Sequence, residues 1–305
     1  MGGNYGIYST GGTVNVGGDV AGTMHKTVRP DPVPGPVRAG RRADVGILTV
    51  LTEELVAVVE MLQRHDAYRA VRLAGGAQAH TARIPAEGGA LTVTAMQTLD
   101  RGGRSAALAY QRLRHEFDPA VVLLVGIAGG VSGGIGGDPD RRLTIGDVVV
   151  ADEVVYYDAR RETRDGPRRR GSSQPMAAAL RHRLNEFFRR WPGRVPVDGV
   201  DVRVWRGPIG SGDAVITDAG SDILEYLRRF NEKMLAVETE AGGVGQAFYE
   251  ELDGGDGLVG WLTIRGISDL ADEAKRHDSH RLAARNAAAV TERLLPLLRV
   301  DGDAS

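Results

Sequence analysis

The chain reads as an α/β protein: a single three-layer αβα domain around a central mixed, mainly parallel sheet, with a Gly-rich N-terminal appendage. Three observations lead there. Runs such as Val121–Val125 and Gly260–Ile264 are apolar on consecutive positions, so both of their faces must be covered. These runs alternate with segments whose apolar residues recur at helical spacing. The regular pattern begins only at Asp44, after a Gly-rich stretch and a Pro-rich stretch of different character.

The elements follow in order. Residues 1–28 contain "GGNYGIYSTGGTVNVGGDVAGT" and form the appendage; residues 29–43, with "RPDPVPGPVRAGRR", form a Pro-rich tether to the domain over 44–300. Alternating Val14, Val16 and Val20 would let the appendage add a strand to the edge of a protein partner, and plain disorder is the alternative. "DVGILTVL" reads as a buried strand. "TEELVAVVEMLQRH" reads as a helix with Leu55, Val58, Val59 and Leu62 inward and Thr52 as N-cap. Strands are expected at 70–73 and 90–96, a helix at 103–117, an apolar strand ending in "GIAGG" (126–130), and a long strand over "IGDVVVADEVVYYD". A helix over 174–191, one or two strands over 200–216, a helix over 219–230 and a strand over 234–237 come next. The series closes with a helix over 240–252, a strand over 258–264 turned by "GIS", and a helix over 280–299.

Composition narrows the function. Lys plus Arg (38) nearly balance Asp plus Glu (40), giving a net charge of −2, so no global field points to nucleic acid or an anionic membrane. Without cysteine there is no disulfide, thiolate catalysis or cysteine-held metal. No leader or bilayer-length apolar run is seen, so a soluble cytoplasmic protein is expected. His277 and His280 have spacing that could share a metal, but no other ligands accompany them; a solvated helix start is the preferred reading, with no metal or cofactor.

In α/β sheets ligands gather at the carboxyl ends of strands. Four strand ends here carry chemistry-capable residues: Glu53 and Glu54, then "GIAGG", then "ETEAGG" (238–243), then "GISDLAD" (266–272). Each alone has an ordinary structural explanation: a turn, a helix-start acid, an N-cap. Three carboxylate-bearing ends on one sheet edge argue for a site.

"GILTVLTEEL", "VGIAGG", "IGDVVVADEVVYYDA", "GPIGSGDAVI", "AVETEAGGVGQ" and "IRGISDLAD" resemble, in that order, the nucleoside phosphorylase superfamily, and most closely its 5′-methylthioadenosine/S-adenosylhomocysteine nucleosidase branch. The likeness covers about 44–300. It implies that Asp269 is the general acid meeting purine N7, that Glu54 orients the attacking water, and that Glu240 grips the ribose hydroxyls. It places the base against Val215 and Ile216, with Ile127, Ala128, Gly129, Glu238 and Thr239 around the substrate and Arg265 and Ser268 supporting the acid. It also implies a homodimer. The physics agrees: breaking an N-riboside builds positive charge on the sugar and negative charge on the base, calling for a donor at one end and anions at the other.

Where phosphorolytic relatives place an arginine before the Gly-rich turn, this chain has Leu124 and Val125, which favours water as nucleophile; Arg101 and Arg104 keep phosphate in play. Thr239 stands where a methionine is usual, and Ile127 replaces a small hydroxyl residue. The segment at 156–171, apolar in relatives and lining the 5′ end of the substrate, often in the neighbouring subunit, carries Arg160, Arg161, Arg164, Arg168, Arg169 and Arg170. Guanidinium forks suit phosphate, so Arg161 and Arg164 point to a purine nucleotide as readily as to an alkylthio nucleoside; a solvated loop is the plainer alternative. The expected activity is N-ribosyl hydrolysis of a purine, with adenine as the expected base, by a soluble enzyme without cofactor or metal. Three further readings stay open: a silent nucleotide sensor, a phosphorolytic enzyme, and a nucleotide-depleting effector tethered through its tail.

Overall fold

The computed structural model describes residues 43–131, 138, 141–251, 258–270 and 277–299. The appendage (1–28), nearly all of the tether (29–42) and Asp272 lie outside the described residues. Ala43 is buried, and its N–H donates to Phe117 O at 2.8 Å.

The chain runs β1 (Val45–Thr49), α1 (Thr52–Gln63), β2 (Asp66–Arg72), β3 (Gln78–Ala86), β4 (Gly89–Gln97), α2 (Gly103–Phe117), β5 (Val121–Gly130) and β6 (Val148–Tyr156). It continues β7 (Arg160–Thr163), β8 (Gly166–Arg169), β9 (Ser172–Pro175), α3 (Ala178–Arg190), β10 (Arg194–Val197) and β11 (Val200–Ser211). Last come α4 (Asp222–Phe230), β12 (Ala236–Glu238), α5 (Ala241–Glu251), β13 (Gly260–Asp269) and α6 (His277–Leu294). The main sheet orders β10-β11-β6-β13-β5-β1-β4-β3-β2, with β12 bridging β11 and β5 and β9 beside β6. It is mixed: β4, β1, β5 and β13 pair in parallel at its centre, and β6 meets β13 antiparallel.

The consecutive apolar runs behave as their chemistry demands. In β5, Val121, Leu123 and Val125 join a core with α1, α3 and α6, while Val122 and Leu124 join another with α2 and α5. Each such side chain removed from water contributes about 1.5–3 kcal/mol, so both faces of the central strands hold the sheet in place. Among the described residues, no helix is long and apolar enough to cross a membrane.

Some expectations need correction. Thr52 does not cap α1. The cap position is Leu51, and the Glu54 carboxylate accepts the Leu51 N–H at 2.9 Å, because that side chain folds back over the helix start. The inward face of α1 is Glu54, Ala57, Val58, Met61 and Leu62, leaving Leu55 and Val59 half-buried. β3 has few large apolar residues and no clean alternation; it forms because its backbone pairs with β4 along its whole length. β9 and β10 were likewise unmarked, and Gln174 and Pro175 belong to β9 rather than to the start of α3. α4 begins at Asp222 behind Ser221, whose Oγ accepts the Ile223 N–H at 3.2 Å. The arginine segment is an antiparallel hairpin, β7–β8, pairing only with itself among the described residues. "GIS" does not turn β13. The strand runs on to Asp269, with its register against β5 slipping between Ile267 and Asp269.

Candidate active site

Because β1, β5 and β13 run parallel, their carboxyl ends emerge at one edge, and β12, with Val237 opposite Gly129 of β5, brings Glu238 to that edge. An open pocket of about 730 Å³, mouth included, lies there. Its lining contains Glu54, Ile127, Ala128, Gly129, Val215, Ile216, Glu238, Thr239, Glu240, Ser268 and Asp269. Carboxylates from elements separated by more than two hundred residues of chain share one cavity.

The floor is wired from beneath. Glu54 accepts N–H bonds from Val50 at 2.7 Å and Leu51 at 2.9 Å on one oxygen, and from Ile127 at 2.9 Å on the other. Burial lifts this carboxyl above its ordinary range, against the pull of Arg265 and those backbone donors. Arg265 does not line the pocket; it lies fully buried under it. Its guanidinium pairs with Glu238, reaches Glu240 at 3.4 Å, and is braced by Thr263 Oγ1 at 3.1 Å. Burial works against that charge, and Glu238, Glu240 and Glu54 together more than offset it. Glu238 also accepts the N–H groups of Glu240 and Ala241 at the start of α5, and burial holds its carboxyl above the ordinary range.

Gly126 explains how Glu54 and Arg265 come so close to one strand. A Cβ there would stand 2.5 Å from a Glu54 carboxyl oxygen and 2.5 Å from an Arg265 guanidinium nitrogen. Only a bare backbone leaves room for both.

Glu240 is held by the Gly102 N–H at 3.0 Å and by the hydroxyl of Thr239. The residue standing where methionine is usual thus contributes a hydrogen bond to a site carboxylate. Ser268 Oγ lies 2.9 Å from Asp269 Oδ2 and 3.3 Å from Ala128 O. A hydroxyl has one hydrogen and here faces two oxygens. Ser268 can therefore donate to only one of these two oxygens at a time.

Arg161 and Arg164 are exposed on the hairpin and do not line this pocket. The lining also includes Val50, Leu51, Ala214, Val237, Arg101 and His280. Ala214 and Val237 sit one place from expected positions, and Val50 and Leu51 sit four and three places before Glu54. His280, on α6, has its Nδ1 3.5 Å from Glu53 Oε1; no spacing in the chain announces a contact over so long a separation.

Comparison with known proteins identifies the family of the chain. The model of the family described as the phosphorylase superfamily matches residues 44–296. ATP nucleosidase Cap17 from Escherichia coli is 26% identical over 265 residues, covering 80% of this chain and 49% of that protein, so the chain spans about half of its relative's length. Among solved structures, the 5′-methylthioadenosine/S-adenosylhomocysteine nucleosidase of Neisseria meningitidis in complex with methylthio-immucillin-A has a TM-score of 0.61 at 21% identity, covering 83% of this chain and 98% of that one. Futalosine hydrolase of Helicobacter pylori has a TM-score of 0.61 at 21% identity, covering 83% and 96%. These structural likenesses carry the fold.

Proposed function

This chain belongs to the phosphorylase superfamily, and from that membership we propose that it is an N-ribosyl hydrolase that cleaves the glycosidic bond of an adenine nucleoside or nucleotide. The observation that carries the reading is the convergence of Glu54, Glu240 and Asp269 on one pocket, the first two held from below by Arg265.

In this reading the base lies against Val215 and Ile216 with N7 toward Asp269. As the bond from C1′ to the base nitrogen breaks, its electron pair goes to the base and the Asp269 proton goes to N7. Glu54 has spent three of about four lone-pair directions on backbone N–H groups and keeps one for water. The oxygen of that water bonds C1′ and its proton passes to Glu54, a transfer eased by a carboxyl already lifted by burial. Glu240 accepts the ribose hydroxyls, and its charge favours the cationic sugar of the transition state. Glu238, Arg265 and Ser268 position these groups.

Water rather than phosphate is the nucleophile in this reading because Leu124 and Val125 are buried in the two cores, and the guanidinium that does reach the Gly-rich end of β5, Arg265, is buried and committed to Glu238. The homodimer belongs to the same proposal: Leu99 is fully exposed and Leu108 largely so, both flanking the loop that carries Arg101, and Arg161 and Arg164 would serve a neighbouring subunit's pocket. Residues 1–28 would recruit a partner to this cytoplasmic enzyme. Chromatography of the products from adenine nucleosides and nucleotides, with and without orthophosphate, tests the reading. Free adenine released equally well without phosphate is expected; release that requires phosphate overturns it.

A further inference from the structure

We propose that Arg101, aided by His280, binds a phosphate group on the 5′ position of the substrate and so sets a preference for nucleotides over nucleosides. This rests on the N-ribosyl hydrolase reading above and goes beyond it by naming the residues that recognise the end of the substrate remote from the base.

The floor of the pocket is anionic. Glu54, Glu238, Glu240 and Asp269 all face or underlie it, and the one buried guanidinium beneath, Arg265, is committed to its carboxylates. An anionic part of a substrate therefore has no place on the floor and must lie toward the mouth. Among the lining residues, Arg101, which is exposed, carries positive charge, and His280 offers a ring nitrogen as a further donor.

Arg101 is held differently from an ordinary surface arginine. Its backbone N–H donates to Asp100 Oδ1 at 2.7 Å, the Asp100 N–H donates to Ser105 Oγ at 2.9 Å, and Thr98 Oγ1 donates to Asp100 O at 2.8 Å. The next residue, Gly102, donates to Glu240 Oε1 at 3.0 Å. Gly103 packs backbone to backbone on Gly243 of α5, so closely that a Cβ on Gly243 would collide with the Gly103 carbonyl. The loop is thus seated on the same helix start that presents the ribose acid, with Arg101 one residue away from its anchor. A ribose gripped by Glu240 is placed at a fixed distance from the Arg101 backbone.

The guanidinium itself is uncommitted: among the described residues Arg101 forms no ion pair, and Asp100 Oδ1 accepts its backbone N–H rather than its side chain. An arginine with an ordered backbone and an unpaired fork at the mouth of an anionic pocket is suited to phosphate oxygens, which it can take two at a time. On the α6 side His280 faces the same cavity, with Glu53 at 3.5 Å as its neighbouring charge. The His280 ring would add a second hydrogen-bond donor toward an anion held by Arg101.

The test compares kcat/KM for adenosine, AMP, ADP and ATP in the wild-type protein and in Arg101→Ala, Arg101→Lys and His280→Ala. Loss of a charge-assisted bond predicts that Arg101→Ala lowers the nucleotide-to-adenosine ratio by about thirtyfold, with Arg101→Lys recovering part of it and His280→Ala producing a smaller fall. Binding of ADP and of adenosine to the Asp269→Asn protein, with and without Arg101→Ala, reads the same preference without turnover. An unchanged ratio, or equal losses for adenosine and nucleotides, overturns the proposal while leaving the hydrolase reading standing. Adenosine cleavage that depends on orthophosphate, and loses that dependence in Arg101→Ala, would assign Arg101 to a free phosphate and overturn it too. If no compound releases base, the hydrolase reading falls, and the binding arm decides: weaker ADP binding in Arg101→Ala supports the phosphate site, and equal affinity overturns it.

Discussion

Charge is concentrated in two regions, the pocket floor and the β7–β8 hairpin, and they are built in opposite ways. On the floor Glu238 and Arg265 are almost completely buried, and each carboxylate is matched by backbone N–H groups, a hydroxyl or the guanidinium. On the hairpin Arg160 lies opposite Arg169 and Arg161 opposite Arg168, so like charges face each other across the strands. One face is relieved by Glu162 at 2.7 Å and Asp222 at 3.0 Å; on the other, Arg168 meets Asp165 only at 3.9 Å, with both side chains more than 70% exposed. Facing like charges cost a few tenths of a kcal/mol or more, and exposed ion pairs return about as little. Buried wiring therefore fixes geometry, which chemistry needs, while an exposed cationic ribbon fixes almost nothing until something anionic meets it.

That contrast can be broken by substitution. Arg265→Leu should be the most damaging change, since it leaves Glu238, Glu240 and Glu54 buried without their counter-charge; a loss of about 3–5 kcal/mol is expected in urea unfolding, and a loss below about 1 kcal/mol would refute the wiring. Gly126→Ala should displace both Glu54 and Arg265 and lower base release by about a hundredfold, because misplacement of about 1 Å costs that much.

Glu54→Gln sharpens the comparison through pH. The folded state holds the Glu54 carboxyl above its ordinary value of 4.5, so it binds the proton more tightly than the unfolded chain. Its contribution is fully present below that value and is lost as pH rises through the raised one. Thermal unfolding at several pH values should show the variant gaining on the wild type as pH climbs from about 4.5, and a pH-independent difference would contradict the burial argument. Smallest of all, Arg161→Ser should shift stability by no more than about 0.5 kcal/mol, in either direction.

The sequence made the chemistry legible sooner than the periphery. Val121–Val125 had to be covered on both faces because every position was apolar, and Glu54 and Asp269 had to share one edge once β1 and β13 were parallel; Glu240 joins them because β12 pairs antiparallel with the carboxyl end of β5. β3 escaped notice because Gln78–Ala86 is held by backbone pairing, which leaves no hydrophobic period. The "GIS" turn was misread because glycine and serine usually end a strand, whereas here Gly266 permits close approach of α6 and the strand continues to Asp269. His280 and the partners of Arg265 were invisible for another reason: they are relations across the fold, and spacing along the chain does not record them.

The account stands or falls with Asp269. Its direct test is the rate of free adenine release by the wild-type protein and by Asp269→Asn at saturating substrate, with binding measured alongside. An amide keeps the shape and cannot give up a proton of the required acidity, so base release should fall by about 10²–10⁴-fold while binding is retained. Release by Asp269→Asn at the wild-type rate would contradict the assignment of the general acid.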